Sequence, residues 1–211
     1  MLLNMSNNNL TTEMQILASA EKLFLANGFK ATSTTDIAKD AGCNQTLVHY
    51  YYRTKEKLFE KVFEAKFAQL FKLIKEPLDK DCEFFNKLEC IVNGYFDIMS
   101  ENPQMPVFIL NEVILNEGRR QSVKEAFMRN HFREEAYARY SSTVREAQRK
   151  GLIREVEPID LLLDIVSLTI YSFTLAPVYI DFLDLDDRAT KDFLARRKKE
   201  VLTLLKKGLQ L

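Results

Sequence analysis

The fold is decided by residues 34–58, TTDIAKDAGCNQTLVHYYYRTKEKL. This stretch predicts two short helices joined by a tight turn and followed by the start of a third helix. Thr34 offers a hydroxyl that can cap the first helix, and Gly42 supplies the left-handed backbone conformation that commonly ends one. Asn44 can cap the second helix at once, so almost no linker separates the two. This arrangement is typical of a helix-turn-helix, whose second helix can enter the major groove of DNA.

The exposed side of the predicted second helix, about residues 45–51, carries groups that suit DNA contacts. Gln45 can pair with adenine, Thr46 can hydrogen bond or offer a methyl group, and Leu47 can contact a thymine methyl. Lys55 begins the next helix, where a lysine and free backbone N–H groups together favour an anion. The predicted DNA-binding residues are Thr34, Thr35, Gln45, Thr46, Leu47, His49, Tyr50 and Lys55. The other side of this helix, with Val48 and Tyr52, is expected to face the core.

Residues 14–63 resemble the DNA-binding signature of TetR-type transcriptional regulators. The family pattern runs through an apolar helix, Gly-Phe, a Thr-rich cap, Asp-Ile-Ala, Ala-Gly, a short recognition helix, aromatic residues and Lys-Glu-x-Leu. The chain matches it in register at Ala20, Leu23, Phe24, Gly28, Phe29, Thr34, Asp36, Ile37, Ala38, Ala41, Gly42, Tyr51, Tyr52, Lys55, Glu56 and Leu58. His49 stands where the family usually has a phosphate-contacting tyrosine, and Thr46 and Leu47 replace a common Gly-Thr or Pro-Thr pair. These departures lie on the DNA face, so the resemblance predicts the fold but not the operator sequence.

The helical pattern of the sequence, which includes one long helix over residues 119–150, predicts an all-α fold of about nine helices. The resemblance implies the same layout, with an N-terminal three-helix head and a C-terminal helical bundle. It also implies a DNA-binding domain over residues 1–58 and a ligand-binding and dimerisation domain over residues 59–211. The expected function is sequence-specific regulation of transcription, by a repressor that a small effector releases from its operator. The expected partners are double-stranded operator DNA, a small-molecule effector and a second copy of the chain, with no cofactor and no metal.

Composition places the chain among ordinary globular proteins. Its 211 residues are 46% hydrophobic and 28% charged, with a formal net charge of zero. Residues 1–75 carry 10 Lys and Arg against 7 Asp and Glu, a weak excess in the direction that a DNA-binding head needs. Three irregularly spaced cysteines without a C-x-x-C pair favour reduced thiols and a cytoplasmic protein. The N-terminus lacks the basic start and the apolar run of a signal peptide.

The helix predicted over residues 158–176 is apolar around its whole circumference. Such a helix must be covered on both sides, either as the central helix of a monomeric bundle or by a second subunit. The resemblance implies the second alternative, because TetR-type proteins dimerise through their last two helices. The longest charge-free stretch here, residues 165–180, is shorter than the ~20 apolar residues of a membrane helix. It therefore predicts a buried helix and no membrane partner.

Aromatic residues are abundant, with fifteen Phe and eight Tyr. They can form the core, or they can line a ligand cavity between the helices of the bundle. Because few of the candidate wall residues ionise, we expect an apolar or aromatic effector. The candidate wall residues are Phe67, Phe71, Phe96, Met99, Phe127, Met128 and Tyr171. The long helix that begins at Lys55 is expected to act as a lever, since it starts at the DNA and continues into the larger domain.

An enzyme is not indicated. The sequence offers no Ser/His/Asp or Cys/His set and no glycine loop that could hold phosphates. His131 with Glu134 or Glu135 has a spacing that metal ligands can use, but two histidines in the whole chain make a metal site improbable. A ligand carrier or a structural DNA-bending protein is a third alternative, which would lack a recognition helix that prefers one sequence.

Overall fold

The computed structural model describes the backbone of residues 2–128 and 132–211, and the side chains of these residues other than 2–10, 123, 126–128 and 132–134. Within these ranges the chain forms ten α-helices and one π-helical segment, without a strand. The elements are α1 (Leu2–Ala31), α2 (Thr34–Asp40), α3 (Gln45–Tyr52), α4 (Lys55–Asp79), α5 (Phe84–Glu101), α6 (Met105–Ile109), the π-helical segment (Leu110–Ile114), α7 (Glu117–Met128), α8 (Phe132–Arg149), α9 (Pro158–Phe182) and α10 (Asp187–Gly208). The predicted all-α class is confirmed. The count exceeds nine because the helix expected over residues 119–150 is described as α7 and α8.

The chain divides into two compact units. The head unit comprises residues 1–68 and 107–130, and the bundle unit comprises residues 69–106 and 131–211. The head unit therefore contains a segment far along the chain, including the π-helical segment and α7. The boundaries of these compact units differ from the predicted functional boundary at residue 58. The assignment of functions to residues 1–58 and 59–211 stays a prediction.

The helix-turn-helix of the head unit is built by local capping. The N-cap of α2 is Ser33, not Thr34 as predicted. The Ser33 hydroxyl accepts a hydrogen bond from the backbone N–H of Asp36, and the Asp36 carboxylate accepts one from the backbone N–H of Ser33. These two bonds form a capping box. Gly42, at φ 67°, ends the helix, and the N–H of Cys43 donates to the carbonyl of Ala38 at 2.9 Å. The predicted turn at Gly42 is thus confirmed.

The cap of α3 and its buried face also agree with the prediction. The Asn44 side chain accepts from the N–H of Leu47 at 3.0 Å. Val48 and Tyr52 are buried, so the opposite face of α3 is left exposed. Burial raises the pKa of Tyr52 to about 12, and its hydroxyl donates to the carbonyl of Glu13. Two helices of so few residues hold a fixed geometry because their caps and these buried side chains determine it.

The bundle unit is organised around α9, which packs against α5, α8 and α10. Its buried residues recur at helical spacing and are Pro158, Leu161, Ile165, Thr169, Phe173 and Ala176. Phe173 contacts Phe96 of α5, with ring centroids 5.3 Å apart. The buried face of α5 consists of Leu88, Ile91, Val92, Tyr95, Phe96 and Met99.

The remaining surface of α9 is apolar but exposed. The large exposed side chains of this helix are Ile159, Leu163, Tyr171, Leu175, Val178, Tyr179 and Phe182. With 25 residues, α9 is the one helix of the described chain that is long and apolar enough to cross a membrane by length and composition. The apolar length predicted from the sequence was shorter, because only the charge-free residues 165–180 were counted. The single chain buries one side of α9 and leaves the other uncovered.

Candidate nucleic-acid interface

The exposed face of α3 presents the predicted base-reading residues. Gln45, Thr46, His49 and Tyr50 are exposed, and Leu47 is half-buried. The Tyr50 side chain is 65% exposed. All five predicted α3 residues are therefore at least partly accessible to solvent, and their contact with DNA stays a prediction.

Three of the predicted residues are joined by hydrogen bonds. The Gln45 amide Nε2 donates to Thr34 Oγ1 at 2.9 Å and lies 3.4 Å from Nε2 of His49. His49 Nδ1 lies 3.2 Å from the carbonyl oxygen of Arg53, which can only accept. When Nδ1 donates to this carbonyl, Nε2 of His49 can accept from the Gln45 amide. The amide of Gln45 is therefore held between α2 and its own helix.

Arg53 makes the sharp change of direction between α3 and α4. Its backbone has φ 62° and ψ −55°, and the N–H of Thr54 donates to the carbonyl of Tyr52 at 2.6 Å. This is the rare γ-turn with positive φ, which is strained for a residue with a side chain. The Thr54 hydroxyl then accepts from the N–H of Lys57. The turn lets α4 begin with only two residues between it and α3, and Lys55 lines the same cleft as His49.

Lys55 is fixed by two contacts within the head unit. Its ammonium donates to the carbonyl of Thr32 at 2.6 Å and lies 4.2 Å from the centre of the Phe29 ring. It lines an open cleft of about 490 Å³. The cleft is formed by Lys30, Ala31, Thr32, Ser33, Thr34, His49, Arg53, Thr54, Lys55 and Glu56.

The cleft carries three cations, Lys30, Arg53 and Lys55, against one carboxylate, Glu56. It also opens at the first residues of α4, whose free N–H groups favour an anion. A phosphate of the DNA backbone fits this chemistry. Lys30 and Arg53 are not among the predicted DNA-binding residues, although Arg53 lies inside the stretch that decides the fold. The prediction covered only the outward face of α3, the two threonines that open α2 and the lysine that opens α4.

The predicted effector-lining residues are spread over the two units. Phe67 lies in the head unit, where its ring stacks on Phe63 with centroids 4.1 Å apart. In the bundle unit, Phe96 and Met99 are buried in the core, whereas Tyr171 is 51% exposed on the outer face of α9. Phe71 is half-buried in the bundle unit. The side chains of Phe127, Met128, His131 and Glu134 lie outside the described part of the chain, so two effector candidates and the metal-ligand spacing stay without a structural description.

A capped helix-turn-helix with an exposed polar recognition face and a basic cleft defines a DNA-binding protein. Residues 16–62 match the sequence model described as bacterial regulatory proteins of the tetR family. Residues 86–204, more than half of the chain, match the tetracycline repressor-like C-terminal domain. The chain belongs to the TetR family and is a DNA-binding transcriptional regulator rather than an enzyme.

Individual relatives agree with this assignment. The HTH-type transcriptional repressor SCO4008 of Streptomyces coelicolor is 28% identical over 158 residues, which are 74% of this chain and 76% of the relative. The transcriptional regulator FadR from Bacillus subtilis, solved in complex with stearoyl-CoA, is 20% identical with a TM-score of 0.69, covering 93% of this chain and 99% of that one. FadR from Bacillus halodurans, a fatty acid degradation regulator, is 18% identical with a TM-score of 0.67, covering 92% and 93%. The two structural likenesses concern the fold.

Proposed function

We propose that the protein is a homodimeric repressor that binds a two-fold-symmetric DNA operator and leaves it when a small, largely apolar effector binds. The observation that carries the proposal is the outer face of α3, where the Gln45 amide is held in place beside a basic cleft. The arrangement supplies both parts of specific recognition, a base-reading group and a phosphate-binding surface. The similarity to a transcriptional repressor of Streptomyces coelicolor supports repression over activation.

The exposed stripe of α9 supports a dimer. Tyr171, Leu175, Val178 and Phe182 are spaced by four, three and four residues, so they lie on one side of the helix. Part of this stripe lines an open cleft of about 500 Å³ between α9 and α10. Contiguous exposed apolar surface of this kind marks an interaction site. A two-fold dimer would present two recognition helices to successive major grooves about 34–36 Å apart.

The packing of one side of α9 in the bundle core favours a dimer over a membrane-bound protein. The helix is apolar enough for a bilayer, yet its other side packs in the bundle core around Ile165 and Phe173. We therefore expect a cytoplasmic protein with no membrane partner.

The effector is expected in the bundle unit, whose buried side chains include Tyr95, Phe96, Met99, Met105 and Phe173. FadR of Bacillus subtilis binds stearoyl-CoA, and it shares this chain's fold. A long acyl chain is thus one concrete form of the apolar effector. Effector binding and DNA binding would be reciprocally coupled, so a ligand that weakens operator binding tenfold binds the operator complex tenfold more weakly, about 1.4 kcal/mol.

The test begins with selection of binding sites from random duplex DNA by the full chain. We expect a two-fold-symmetric site, bound much more tightly than random duplex of the same length in fluorescence anisotropy. Long-chain acyl-CoA, free fatty acids and planar aromatic compounds are then added to the complex, with coenzyme A alone as the control for the polar part. Recovery of no symmetric site would refute specific recognition. If a site is found but no apolar compound releases the protein, the effector part of the proposal fails alone.

A further inference from the structure

A buried ion pair in the head unit comes from a segment that is distant in sequence from the helix-turn-helix. Glu112 lies in the π-helical segment and Arg119 lies in α7. Their side chains are only 11% and 14% exposed, and Arg119 Nε lies 3.1 Å from Glu112 Oε2. Burial lowers the pKa of Arg119, and the carboxylate of Glu112 opposes that shift. Buried charges are costly unless they are paired and bonded, so this pair needs a structural or functional reason.

The second carboxylate oxygen of Glu112 reaches the Gly28–Phe29 bend. The backbone N–H of Phe29 donates to Glu112 Oε1 at 2.8 Å. Gly28 has φ 74° and ψ 172°, which breaks the helical course of α1 just before α2. A Cβ at Gly28 would lie 3.1 Å from the same oxygen, so the glycine provides both the backbone conformation and the room for the carboxylate.

Arg119 is held against the same bend by aromatic faces. Its guanidinium carbon lies 3.8 Å from the centre of the Phe29 ring and 4.7 Å from that of Phe59. Its Nε has no linear hydrogen bond, so charge and stacking hold it in place. Phe29 is therefore fixed at its backbone by Glu112 and at its ring by Arg119.

The π-helical turn contributes to this geometry. The N–H of Leu115 donates to the carbonyl of Leu110 at 2.9 Å, an i to i+5 bond that widens the helix by one residue. Glu112 lies at the middle of this turn. Widened turns of this kind occur often at functional positions.

We infer that Glu112 and Arg119 are positioning residues for DNA binding, which fix the Gly28–Phe29 bend and through it the entry of the chain into α2. They touch no DNA, and their segment, residues 107–128, completes the DNA-binding head although it is distant in sequence. The inference rests on the proposed function, because it needs a specific operator as its readout.

The test uses the full chain with substitutions at one carboxylate. Glu112→Ala should weaken operator binding by roughly 10- to 100-fold, since a hydrogen bond to a charged group is lost. Glu112→Gln keeps an oxygen for the N–H of Phe29 and should recover a large part of that loss. Glu117→Ala is the matched control, because Glu117 forms an ion pair with Arg120 on the same segment but is 93% exposed. It should bind as the wild type does.

Two readouts separate positioning from mere stability. All measurements are made well below the unfolding midpoint of each variant, so that loss of folded protein does not contribute. The slope of operator affinity against salt should stay at the wild-type value, because no phosphate contact is removed, and binding to random duplex should fall less than operator binding. If Glu112→Ala does not fold, Arg119→Lys keeps the charge, loses the planar stacking and should weaken operator binding severalfold.

A folded Glu112→Ala protein with the operator affinity of Glu117→Ala would overturn the inference. A salt slope that falls as far as that of Lys55→Ala would overturn it too, because the substitution would then act through the loss of a phosphate contact. A wild-type protein without any preferred site would instead refute the proposed function. The two failures are therefore distinguishable in one set of titrations.

Discussion

Replacing Leu175 by Arg should convert the dimer into a folded monomer. Leu175 lies on the exposed stripe of α9 and keeps 45% of its surface exposed in the single chain. Full burial of a leucine contributes about 1.5–3 kcal/mol, so covering the exposed part contributes about 0.7–1.4 kcal/mol. A two-fold axis uses each residue twice, and the loss is then about 1.4–2.7 kcal/mol per dimer, or about 10- to 100-fold in Kd. Burying the arginine charge adds to this loss.

The assay is sedimentation velocity over a range of protein concentrations, with circular dichroism to verify that each variant is folded. Leu152→Arg is the matched control, because Leu152 is also half-exposed, at 49%, but lies in the turn after α8. It should dimerise as the wild type does. Ile165→Ala provides the opposite control: Ile165 is fully buried, so this change should lower the thermal midpoint through a cavity that costs about 2–5 kcal/mol.

Either of two results would refute a dimer interface on this face of α9. Leu175→Arg could dimerise with the wild-type Kd, which would show that this face of α9 is not the interface. Alternatively, Leu152→Arg could lose the dimer equally, which would show that added positive charge, and not its location, decides the result. A wild-type protein that sediments as a monomer at micromolar concentration would exclude a dimer altogether.

Three further outcomes are expected. Gln45→Ala should relax preference at a single base pair by ~1–3 kcal/mol, whereas Lys55→Ala should weaken binding to all sequences and reduce the salt slope by about one; competition with operator variants at several salt concentrations measures both. Gly28→Ala should lower the thermal midpoint by an amount equivalent to ~1–3 kcal/mol, because its positive φ is strained for alanine and the added Cβ meets Glu112; an unchanged melting curve would contradict this. Hydrogen bonds from the N-cap serine lower the pKa of Asp36 in the folded protein, so its contribution to stability is present at neutral pH and is lost as the pH falls through the folded-state value; Asp36→Asn should remove that part of the acid dependence in pH-dependent melts.

The helix-turn-helix could be predicted from the sequence because its determinants are local. Gly42 and Asn44 act within a few residues of their own positions, and the structure confirms both. The cap of α2, which was wrongly predicted at Thr34, also had a local signal. Asp36 follows Ser33 by three residues and completes a capping box. Four consecutive hydroxyl residues, 32–35, can each act as an N-cap by residue type alone.

The buried pair in the head unit had no local signal. Glu112 lies 83 residues from its hydrogen-bond partner Phe29. A single sequence gives no information about which distant segment will satisfy a backbone N–H, so a charge in an apolar stretch resembles any surface residue. The one-sided burial of α9 is a similar case, because periodicity shows that all its faces are apolar but not which face the chain itself covers.

Phe29 connects the cleft proposed to bind phosphate with the buried pair of Glu112 and Arg119. Its ring lies 4.2 Å from the Lys55 ammonium and 3.8 Å from the Arg119 guanidinium, and its N–H is held by Glu112. A displacement of the segment 107–128 would therefore act on this ring and on the lysine expected to bind phosphate through two consecutive contacts. In this chain, the Gly-Phe pair has a clear physical use: the glycine leaves room for the carboxylate of Glu112, and the phenylalanine ring contacts the cations of Lys55 and Arg119.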